Sequence, residues 1–350
     1  MSLKFLPRLF KQTFSRMRSA NDLPTDPGTA SNRQQWFAYN EAVKQWTSIE
    51  EQDNDNSSGD VESSNQHENE GLSNLVLATW NVDSASSRPE ARITAITSHV
   101  LALRPSVDII FLQEVSRPAL ATILDDSRIR SSWYSTEADD TSWQGQSFAT
   151  MTLMSKSRFG APNETTKAPR LGSVWRTKYP SHFGRDALCC DIISSSDDPT
   201  ETTSLRLINV HLDSLQIQPS QRPRQLSIIS SILSKADFGL VAGDFNPVLP
   251  EDNTLVSDNN LVDAWISLHN KEPGFTWGID GYKPFPPTRL DKVAMLKLKA
   301  HKMSVMHPGS VPQLQRSQDI HAYQEGARGE GEMMPWSDHS GLMCVFSPTQ

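Results

Sequence analysis

Short apolar segments that end in a polar or charged residue constrain this chain more than any other feature. In chain order, the residues at these ends are Asn81 after LVLATW, Glu114 after IIFLQ, His211 after LRLINV, and Asp244 and Asn246 within GDFN. Runs of this length and apolarity are typical of buried strands. A carboxylate, amide or imidazole at the end of a buried strand costs free energy unless a partner satisfies it. The pattern therefore predicts that these side chains converge around an ion or a ligand.

The same residue types precede two strands near the C-terminus. Asp291 stands before the apolar run KVAML, and the motif SDH places Asp338 and His339 directly before GLMCVF. A carboxylate that holds one nitrogen of an imidazole stabilises the charged form of that imidazole. We therefore predict that Asp291 is the partner of His339, with Asp338 as a second acid beside them.

The order of the apolar segments favours an α/β fold. Continuous or alternating apolar runs predict strands, and apolar residues at helical spacing predict helices between some of them. The predicted strands are 75–82, 107–115, 147–155, 186–193, 204–212, 239–245, 292–298 and 341–346, and the predicted helices are 91–103 and 224–233. Since strands predominate, we expect two sheets packed face to face with helices on the outside. Two polar stretches, 194–204 and 308–335, are predicted to be flexible insertions.

Residues 1–71 are predicted to precede the folded domain, which spans 72–350. Residues 1–20 are basic and contain no acid, a pattern typical of a mitochondrial presequence or of a short basic tail. Residues 32–49 carry aromatic side chains at helical spacing, which predicts an amphipathic docking helix with a protein partner. The stretch 50–70 contains eight acidic residues and no lysine or arginine, which predicts a disordered linker.

The composition excludes several other classes of protein. The formal net charge is −8, so a polyanionic substrate must be met by a local groove or by metal ions. The chain contains 3 cysteines without metal-type spacing, which indicates a reducing compartment and no disulfide framework. No apolar run approaches the ~20 residues that a membrane-spanning helix needs. We therefore expect no stable membrane association.

Each of these polar residues has an ordinary structural explanation when it is considered alone. Asn81 is typical of a turn, Glu114 of a solvated strand end, and GDFNP of a turn as well. Asp291 has two basic neighbours in the chain with which it can pair, and both histidines can be structural. The recurrence at strand ends, rather than any single residue, favours a shared site.

The oxygen-rich part of the set suits a divalent cation. Mg²⁺ prefers carboxylate and amide oxygens and keeps several waters. Glu114 is the candidate direct ligand, with Asn81 beside it and Asp338 as a further candidate. A cation held there polarises a phosphoryl oxygen, so we expect metal-assisted hydrolysis of a phosphodiester with Mg²⁺ or Mn²⁺ as the cofactor.

The remaining residues suit the chemistry of that hydrolysis. Asp244 is the candidate base that orients and deprotonates a water, and Asn246 fixes its geometry and contacts the phosphate. His211 and His339 are candidate donors to the phosphoryl oxygens of the transition state, with Asp291 behind His339. Together with the amide at position 81, these residues form the predicted catalytic set.

In this order, the motifs resemble the endonuclease/exonuclease/phosphatase family. The resemblance covers about residues 72–347 and lies in TWN (79–81), LQE (112–114), HL (211–212), GDFN (243–246), RLDK (289–292) and SDH (337–339). It implies a four-layered α/β sandwich and Mg²⁺- or Mn²⁺-dependent hydrolysis of phosphodiesters or phosphomonoesters. It also implies Asp244 as the general base and Glu114 as the metal ligand.

Further segments resemble the branch of this family that hydrolyses 5′-phosphotyrosyl ends of DNA, with single-stranded or overhanging ends as partners. They are TWNVDS with Asp83, FGRDALC (183–189), NVHLDSL with Ser214, and FTWGID with Trp277. The resemblance implies that Asp83, Ser214, Asn246 and Trp277 contact the substrate. An aromatic face suits an unstacked base, and a core position is the alternative for Trp277.

The chain departs from this branch at three positions. Leu215 and Gln216 follow HLDS where a basic residue is usual, and Ala85 follows NVDS where a bulkier apolar residue is usual. These departures concern the selection of DNA ends more than catalysis.

Two other functions compete with this one. The main alternative is an abasic-site or general DNA or RNA nuclease of the same family, and the other is a binding module on a catalytically inactive fold. An inactive module should lack a metal ligand or the base, whereas all six motifs are present. A role at DNA ends predicts the nucleus, and the basic N-terminus leaves the mitochondrion or the cytoplasm as alternatives.

Overall fold

The computed structural model describes residues 31–49, 71–161, 168–195, 202–281, 285–313 and 332–349. The basic segment 1–20, the acidic stretch 50–70 and the centres of both predicted insertions lie outside these residues. None of the helices that it describes is long and apolar enough to cross a membrane.

Strands outnumber helices in the described part of the chain. The strands are β1 (Ser31–Gln34), β2 (Phe37–Asn40), β3 (Gln45–Ser48), β4 (Leu75–Asn81), β5 (Ile109–Ser116), β6 (Trp133–Ser135), β7 (Phe148–Ser155), β8 (Arg170–Lys178), β9 (Asp186–Ser195), β10 (Thr202–His211), β11 (Phe238–Asp244), β12 (Val262–Asp263), β13 (Asp291–Leu296), β14 (Leu298–Met306), β15 (Ser310–Pro312), β16 (Met333–Pro335) and β17 (Gly341–Pro348). The α-helices are α1 (Pro89–Leu101), α2 (Arg117–Asp125), α3 (Ser127–Ser132), α4 (Arg222–Leu233), α5 (Leu255–Asp258) and α6 (Ala264–Leu268), and 3-10 helices cover Thr141–Trp143 and Pro250–Thr254.

The strands form two large mixed sheets. One has the order β1-β8-β9-β10-β11-β13-β12 and the other the order β14-β17-β4-β5-β7-β6-β2-β3. Two pairs inside them are parallel, β4 with β5 and β10 with β11. Helix α1 connects the first pair and helix α4 the second, so each sheet contains one βαβ unit. The carboxyl ends of parallel neighbours meet at one edge of a sheet, and this places the polar strand ends side by side.

The two sheets pack face to face and carry helices on their outer faces. Alternate residues of a strand point to opposite faces, so Leu77 of β4 joins the core between the sheets while its neighbour Val76 packs under α1 with Ile93. On the other sheet, Ile229 of α4 packs in a separate outer core with Ile208 of β10. Both faces of β4 are therefore covered, and all of its residues are buried. The predicted four-layered α/β sandwich is confirmed.

The prediction of an amphipathic docking helix over 32–49 is wrong, because this segment forms β1, β2 and β3. Strand β1 pairs with β8 in one sheet, and β2 pairs with β3 and β6 in the other. Trp36 is buried and its Nε1 donates to the carbonyl of Gly172 at 2.9 Å, and Nε1 of Trp46 donates to the carbonyl of Leu124 at 3.0 Å. The aromatic face that predicted a protein partner is thus used within the chain. The two sheets include residues on the N-terminal side of the predicted boundary at residue 72.

A turn explains why helical spacing was misleading in this segment. The side chain of Asn40 accepts from the backbone N–H of Ala42 at 2.9 Å, and Lys44 has φ of 54°. An asparagine side chain that accepts from a backbone N–H two residues later is typical of a turn. A residue in the left-handed region, such as Lys44, interrupts both helix and strand geometry. The chain therefore reverses between β2 and β3, where the spacing of the aromatic residues fits a hairpin as well as a helix.

Both predicted insertions begin and end in strands. Thr202 pairs with Ser195 at the end of the hairpin between β9 and β10. Strand β15 pairs antiparallel with β16, so the ends of the stretch 308–335 form a small two-stranded sheet. The prediction of flexible insertions is therefore wrong at these ends.

Candidate active site

Strand pairing brings the predicted residues together at one edge of the sandwich. Across β10, β11 and β13, His211 is the register partner of Asp244, and Asp244 is the register partner of Asp291. In the other sheet, Asn81 ends β4, and Glu114 follows the register partner of Asn81 in β5. Residues that are far apart in the sequence become neighbours because the carboxyl ends of β4, β5, β10 and β11 and the amino end of β13 lie at the same edge.

Asn81 joins the two sheets at this edge. Its Nδ2 donates to Oδ2 of Asp244 at 3.0 Å and to Oε1 of Glu114 at 3.3 Å. Its Oδ1 accepts from the backbone N–H of Asp83 at 3.0 Å. One buried amide therefore fixes the positions of two carboxylates, one from each sheet, relative to each other.

The carboxylate of Asp244 is buried at the centre of the cluster. The backbone N–H of Asn246 donates to its Oδ1 at 2.9 Å. Burial raises the pKa of Asp244, the nearby His339 opposes this shift, and Asp291 raises the pKa further, so the net direction is upward. A carboxylate with a raised pKa is suited to accept a proton near neutral pH.

Asn246 is held beside that carboxylate. Its Nδ2 donates to the carbonyl of Leu212 at 3.2 Å and lies 3.5 Å from Oγ of Ser214. Its φ is 47°, a left-handed conformation that asparagine adopts more readily than most residues. The predicted substrate contacts at positions 214 and 246 are therefore neighbours on the loops after β10 and β11.

His339 and Asp291 form a buried pair. The distance from Nδ1 of His339 to Oδ2 of Asp291 is 2.8 Å, and Nε2 of the same ring lies 3.9 Å from Oδ2 of Asp244. Burial disfavours the charged imidazole, but Asp291 and then Asp244 outweigh it, so the pKa of His339 lies well above its usual value. Since an ionised carboxylate can only accept, Nδ1–H donates to Asp291 and the charged ring directs Nε2–H into the site.

His211 differs from His339 in its charge. Nε2 of His211 lies 3.6 Å from Oδ2 of Asp244, and its ring stacks on Phe148 with 6.1 Å between centroids. Burial and then the charge of Arg185 lower the pKa of His211 well below its usual value, so the ring is neutral. Within the described part of the chain, neither of its ring nitrogens has a hydrogen-bond partner, although the ring is buried. Buried polar groups are normally satisfied, and this observation indicates that a ligand completes the site.

Glu114 has a strained backbone conformation. Its φ is 56°, which is rare for a residue with a side chain. Its Oε2 accepts from the backbone N–H of Ser84 at 3.0 Å and from Oγ of Ser84 at 2.7 Å. Burial alone would raise the pKa of Glu114, but the charge of Arg185 and the two bonds from Ser84 reverse the shift. The carboxylate is therefore ionised and oriented by the loop after β4.

Two further acids belong to this region, and Asp83 lies close enough to both Asp338 and Glu114 to be affected by their charges. The carboxylate of Asp83 accepts from the backbone N–H of Ala85 at 3.0 Å, and Oδ2 of Asp338 accepts from Nε1 of Trp277 at 3.1 Å. Burial raises the pKa of Asp83, and the charges of Asp338 and Glu114 raise it further. A bound cation would stabilise the ionised form of Asp83 against these neighbouring negative charges.

The structure thus gathers every predicted site residue into one region and adds three others, of which Ser84 lies within TWNVDS and Arg185 within FGRDALC, two of the segments that carry the resemblance. They are Ser84, which orients Glu114, Phe148, which stacks on His211, and Arg185, whose guanidinium lies 4.7 Å from the centroid of Phe148. Ser84 directly follows Asp83 in NVDS, so its position was a usable signal. Phe148 begins β7, and Arg185 lies just before β9. They reach this edge because β7 pairs antiparallel with β5 in one sheet and β9 pairs antiparallel with β10 in the other.

The donor set fits a hard divalent cation. Oxygen ligands from carboxylates and amides are what Mg²⁺ prefers, and Glu114, Asp338 and Asn81 offer such atoms. Among the His, Cys, Asp and Glu side chains that the structure describes, Asp244, Asp291 and His339 also place one potential ligand atom each within 4.8 Å of one another. A charged imidazole is not a metal ligand, so the pair formed by His339 and Asp291 suits hydrogen bonding better.

Comparison with known proteins agrees with this geometry. No curated protein sequence matches the chain significantly. Tyrosyl-DNA phosphodiesterase 2 (TDP2) of D. rerio, solved with a single-stranded DNA product, is similar with a TM-score of 0.54 and 20% identity, over 79% of this chain and 99% of that chain. TDP2 of C. elegans has a TM-score of 0.54 and 20% identity, over 78% of this chain and 75% of that one.

A more distant structure shares the same fold. An endonuclease/exonuclease/phosphatase family protein from Bacteroides thetaiotaomicron has a TM-score of 0.51 and 14% identity, over 79% of this chain and 96% of that one. The family model for the endonuclease/exonuclease/phosphatase family matches residues 78–339, which is well over half of the chain and contains all six motifs. This chain therefore belongs to the endonuclease/exonuclease/phosphatase family.

Proposed function

We infer that the chain is a divalent-cation-dependent phosphodiesterase that hydrolyses 5′-phosphotyrosyl ends of DNA. The observation that carries this inference is the arrangement around Asp244. A buried carboxylate with a raised pKa lies between a charged imidazole, His339, and a neutral imidazole without a partner among the described residues, His211. This arrangement offers one acceptor for the proton of a water and two groups for the oxygens of a phosphate.

The proposed reaction begins with a water held by Asp244. The water oxygen attacks phosphorus in line with the phosphotyrosyl bond, and its proton passes to the carboxylate of Asp244. The new O–P bond forms while the bond from phosphorus to the tyrosine oxygen breaks. The products are a DNA end with a 5′-phosphate and a tyrosine, which takes its proton from solvent. Asn246, which donates to Oδ1 of Asp244 at 2.9 Å, fixes the direction of the acceptor.

Negative charge that develops on the phosphoryl oxygens is met by donors already in place. His339 is held by Asp291 at 2.8 Å, so its Nε2–H is oriented before the substrate arrives. Such preorganised donors account for large parts of many rate enhancements, because no reorientation is needed during the reaction. Arg185 adds a positive charge at the same edge, where it acts on Glu114 and Asp244.

Glu114 is the proposed principal ligand of the cation, with Asn81 and Asp338 beside it. When bound, Mg²⁺ or Mn²⁺ supplies Lewis acidity that polarises a phosphoryl oxygen and neutralises charge. The described residues favour this side of the site for the cation because Glu114 is ionised. Its Oε2 accepts two bonds from Ser84 and its Oε1 accepts one from Nδ2 of Asn81, so Oε1 keeps a second lone pair for a ligand.

The preference for DNA ends rests on surfaces next to this centre. The TDP2 structure from D. rerio contains a single-stranded DNA product, and its fold is similar to this one. Trp277 lies beside Asp338 and is 6.4 Å from the ring of Phe285, which is 55% exposed. Exposed aromatic faces suit stacking on unpaired bases. Asp83 and Ser214 are the proposed polar contacts to the first nucleotide.

The proposed location is the nucleus, where adducts between protein and DNA ends arise. The basic residues 1–20 make the mitochondrion the alternative, and they lie outside the described residues. Imaging of a fusion without residues 1–20 separates the two. A nuclear signal that does not change on truncation would dismiss the presequence.

A comparison of three substrates, each assayed separately, tests the proposed activity directly. The purified full-length chain is incubated with Mg²⁺ and one of three substrates, a single-stranded oligonucleotide with a 5′-phosphotyrosyl end, a duplex with an abasic site, or an inositol phosphate. Asp244→Asn is assayed in parallel. We expect release of a 5′-phosphate end from the first substrate alone and none from the variant. Cleavage of the abasic duplex instead, also lost in Asp244→Asn, would support the nuclease alternative, and no cleavage of any substrate would support an inactive binding module.

A further inference from the structure

Two buried arginines lie directly behind the candidate site, one in each βαβ unit. Arg92 belongs to α1 and Arg222 begins α4, and each is 1% exposed. Arginine is almost never fully buried unless its donors are satisfied. Arg92 binds mainly to backbone carbonyls of the loop after β4. Arg222 binds two backbone carbonyls of the loop after β10 and forms a buried ion pair with the carboxylate of Asp252.

Arg92 joins the loop after β4 to the segment before SDH. Its Nη1 donates to the carbonyl of Val82 at 2.9 Å and to the carbonyl of Trp336 at 2.7 Å, and its Nε donates to the carbonyl of Ser87 at 2.9 Å. Its Nη2 donates to the carbonyl of Asp83. These acceptors come from two segments that are more than two hundred residues apart in the chain. One segment carries the Asp83 carboxylate, and the other leads into the Asp338 carboxylate.

Arg222 joins the loop after β10 to the loop after β11. Its Nη1 donates to the carbonyls of Asp213 at 2.7 Å and Leu215 at 3.0 Å, and its Nε donates to Oδ2 of Asp252 at 2.8 Å. The same Oδ2 accepts from the backbone N–H of Leu249 at 2.8 Å. Asp213 and Leu215 flank Ser214, and Leu249 lies on the same loop as Asn246. The pair formed by Arg222 and Asp252 therefore holds together the two loops that carry Ser214 and Asn246.

We propose that Arg92 and Arg222 are positioning residues with separate tasks. Arg92 sets the spacing of the acidic side chains around the cation, and Arg222 sets Ser214 and Asn246 against the phosphate of the substrate. This inference deepens the proposed function and rests on it. A planar guanidinium has five donors in a fixed arrangement, which a lysine ammonium cannot reproduce. The conservative change to lysine therefore keeps the charge and removes the hydrogen bonds that connect the two segments.

Two variants, Arg92→Lys and Arg222→Lys, separate these tasks. Mg²⁺ binding is measured by titration calorimetry without substrate, and kcat and KM are measured with the 5′-phosphotyrosyl oligonucleotide at saturating Mg²⁺. For Arg92→Lys we expect the Kd for Mg²⁺ to rise by about 10-fold or more, as for other residues that orient metal ligands, and by a larger factor than KM, which Arg92 influences through Asp83. For Arg222→Lys we expect the reverse, a higher KM and an unchanged Kd for Mg²⁺.

Arg206→Lys is the matched control. Arg206 is mostly buried and pairs with Asp191 at 2.7 Å, but it lies on β10 away from the strand's carboxyl end. We expect it to change neither the Kd for Mg²⁺ nor KM. Thermal unfolding of all three variants shows whether they fold, and Arg92→Gln and Arg222→Gln, which keep two donors, replace any lysine variant that does not.

A merely structural role would not make one variant lose mainly Mg²⁺ affinity and the other lose mainly substrate affinity. Equal losses in both quantities for both variants, no loss in either, or failure of all four variants to fold would each overturn the proposed division. Wild-type protein that neither binds Mg²⁺ nor cleaves the oligonucleotide would contradict the proposed function itself, and with it the roles assigned to the two arginines.

Discussion

The pair formed by Asp291 and His339 gives the most direct test of the proposed mechanism. Asp291→Asn keeps the size and planar shape of the side chain and removes its charge. Both partners are buried and 2.8 Å apart, and the carboxylate is the main reason that the pKa of His339 is raised in spite of burial. Without it, the imidazole loses the charge and the orientation that the transition state requires.

The size of the effect follows from the strength of this hydrogen bond. A hydrogen bond to a charged group contributes about 1.5–3 kcal/mol. At about 1.4 kcal/mol for each factor of ten in rate, kcat should fall by about 10-fold to 100-fold. Asp291 does not face the substrate in the proposed mechanism, so KM should change little.

Single-turnover cleavage of the 5′-phosphotyrosyl oligonucleotide at saturating Mg²⁺ measures this loss. Asp191→Asn is the control, because Asp191 is a mostly buried carboxylate that pairs with Arg206 at 2.7 Å outside the site. Thermal unfolding of both variants shows whether they fold equally well. An unchanged kcat for Asp291→Asn, or an equal fall for Asp191→Asn, would refute the role of the pair.

Three further changes test the cation site and the fold. Glu114→Gln should abolish most of the heat of Mg²⁺ binding in calorimetry, since the carboxylate is the proposed main ligand, and a response identical to wild type would contradict that assignment. Trp36→Ala should lower the free energy of unfolding by about 3–5 kcal/mol in a denaturant titration, because Trp36 is 3% exposed and donates to the carbonyl of Gly172; a loss below about 1 kcal/mol would contradict its packing. Gly243→Ala should yield little folded protein, because its Cβ would lie 2.1 Å from the carbonyl oxygen of Val210 at a φ of 133°, and a normal unfolding midpoint would contradict this geometry.

The central strands were predictable because they are buried on both faces. Strand β4 spans Leu75–Asn81 and all of its residues are buried, so its sequence is a continuous apolar run. The same holds for β11, Phe238–Asp244, which is buried at all positions except the partly exposed Phe238. Such runs have few alternatives in a folded domain, and their polar ends marked the edge where the site lies.

The edge strands were not predictable from local patterns. Strand β1 is largely exposed, and it forms because it pairs with β8. In this pairing, Asn32 lies opposite Arg176. Such pairing depends on contacts across more than one hundred residues, which local propensity does not contain. The aromatic residues Trp36 and Trp46 therefore suggested a helix, while the long-range pairing selects strands.

Within the site, the sequence indicated residue types but not their surroundings. The carboxylates, amide and imidazoles stand at strand ends and could be recognised. Phe148 could not, because it stands at the beginning of β7 and only the antiparallel pairing of β7 with β5 brings it to this edge. Arg185 lies in the quoted segment FGRDALC, but its distance from the site is set by the sheet order. The opposite charge states of His211 and His339 also depend on neighbours from other strands, Arg185 for one and Asp291 for the other.

Since each sheet supplies only part of the cluster, the site depends on the position of one sheet relative to the other. Asn81 makes the direct link through its bond to Asp244 at 3.0 Å. One layer deeper, Nε2 of Gln113 donates to Oδ1 of Asn209 at 2.8 Å, and both side chains are completely buried between the sheets. A satisfied polar pair in an apolar core tolerates little sliding, because displacement leaves both groups without partners. Gln113 precedes Glu114, and Asn209 lies two residues before His211 on the same face of β10, so the same bond that fixes the sheets also fixes the distance between the proposed cation ligand and the proposed phosphate-binding imidazole.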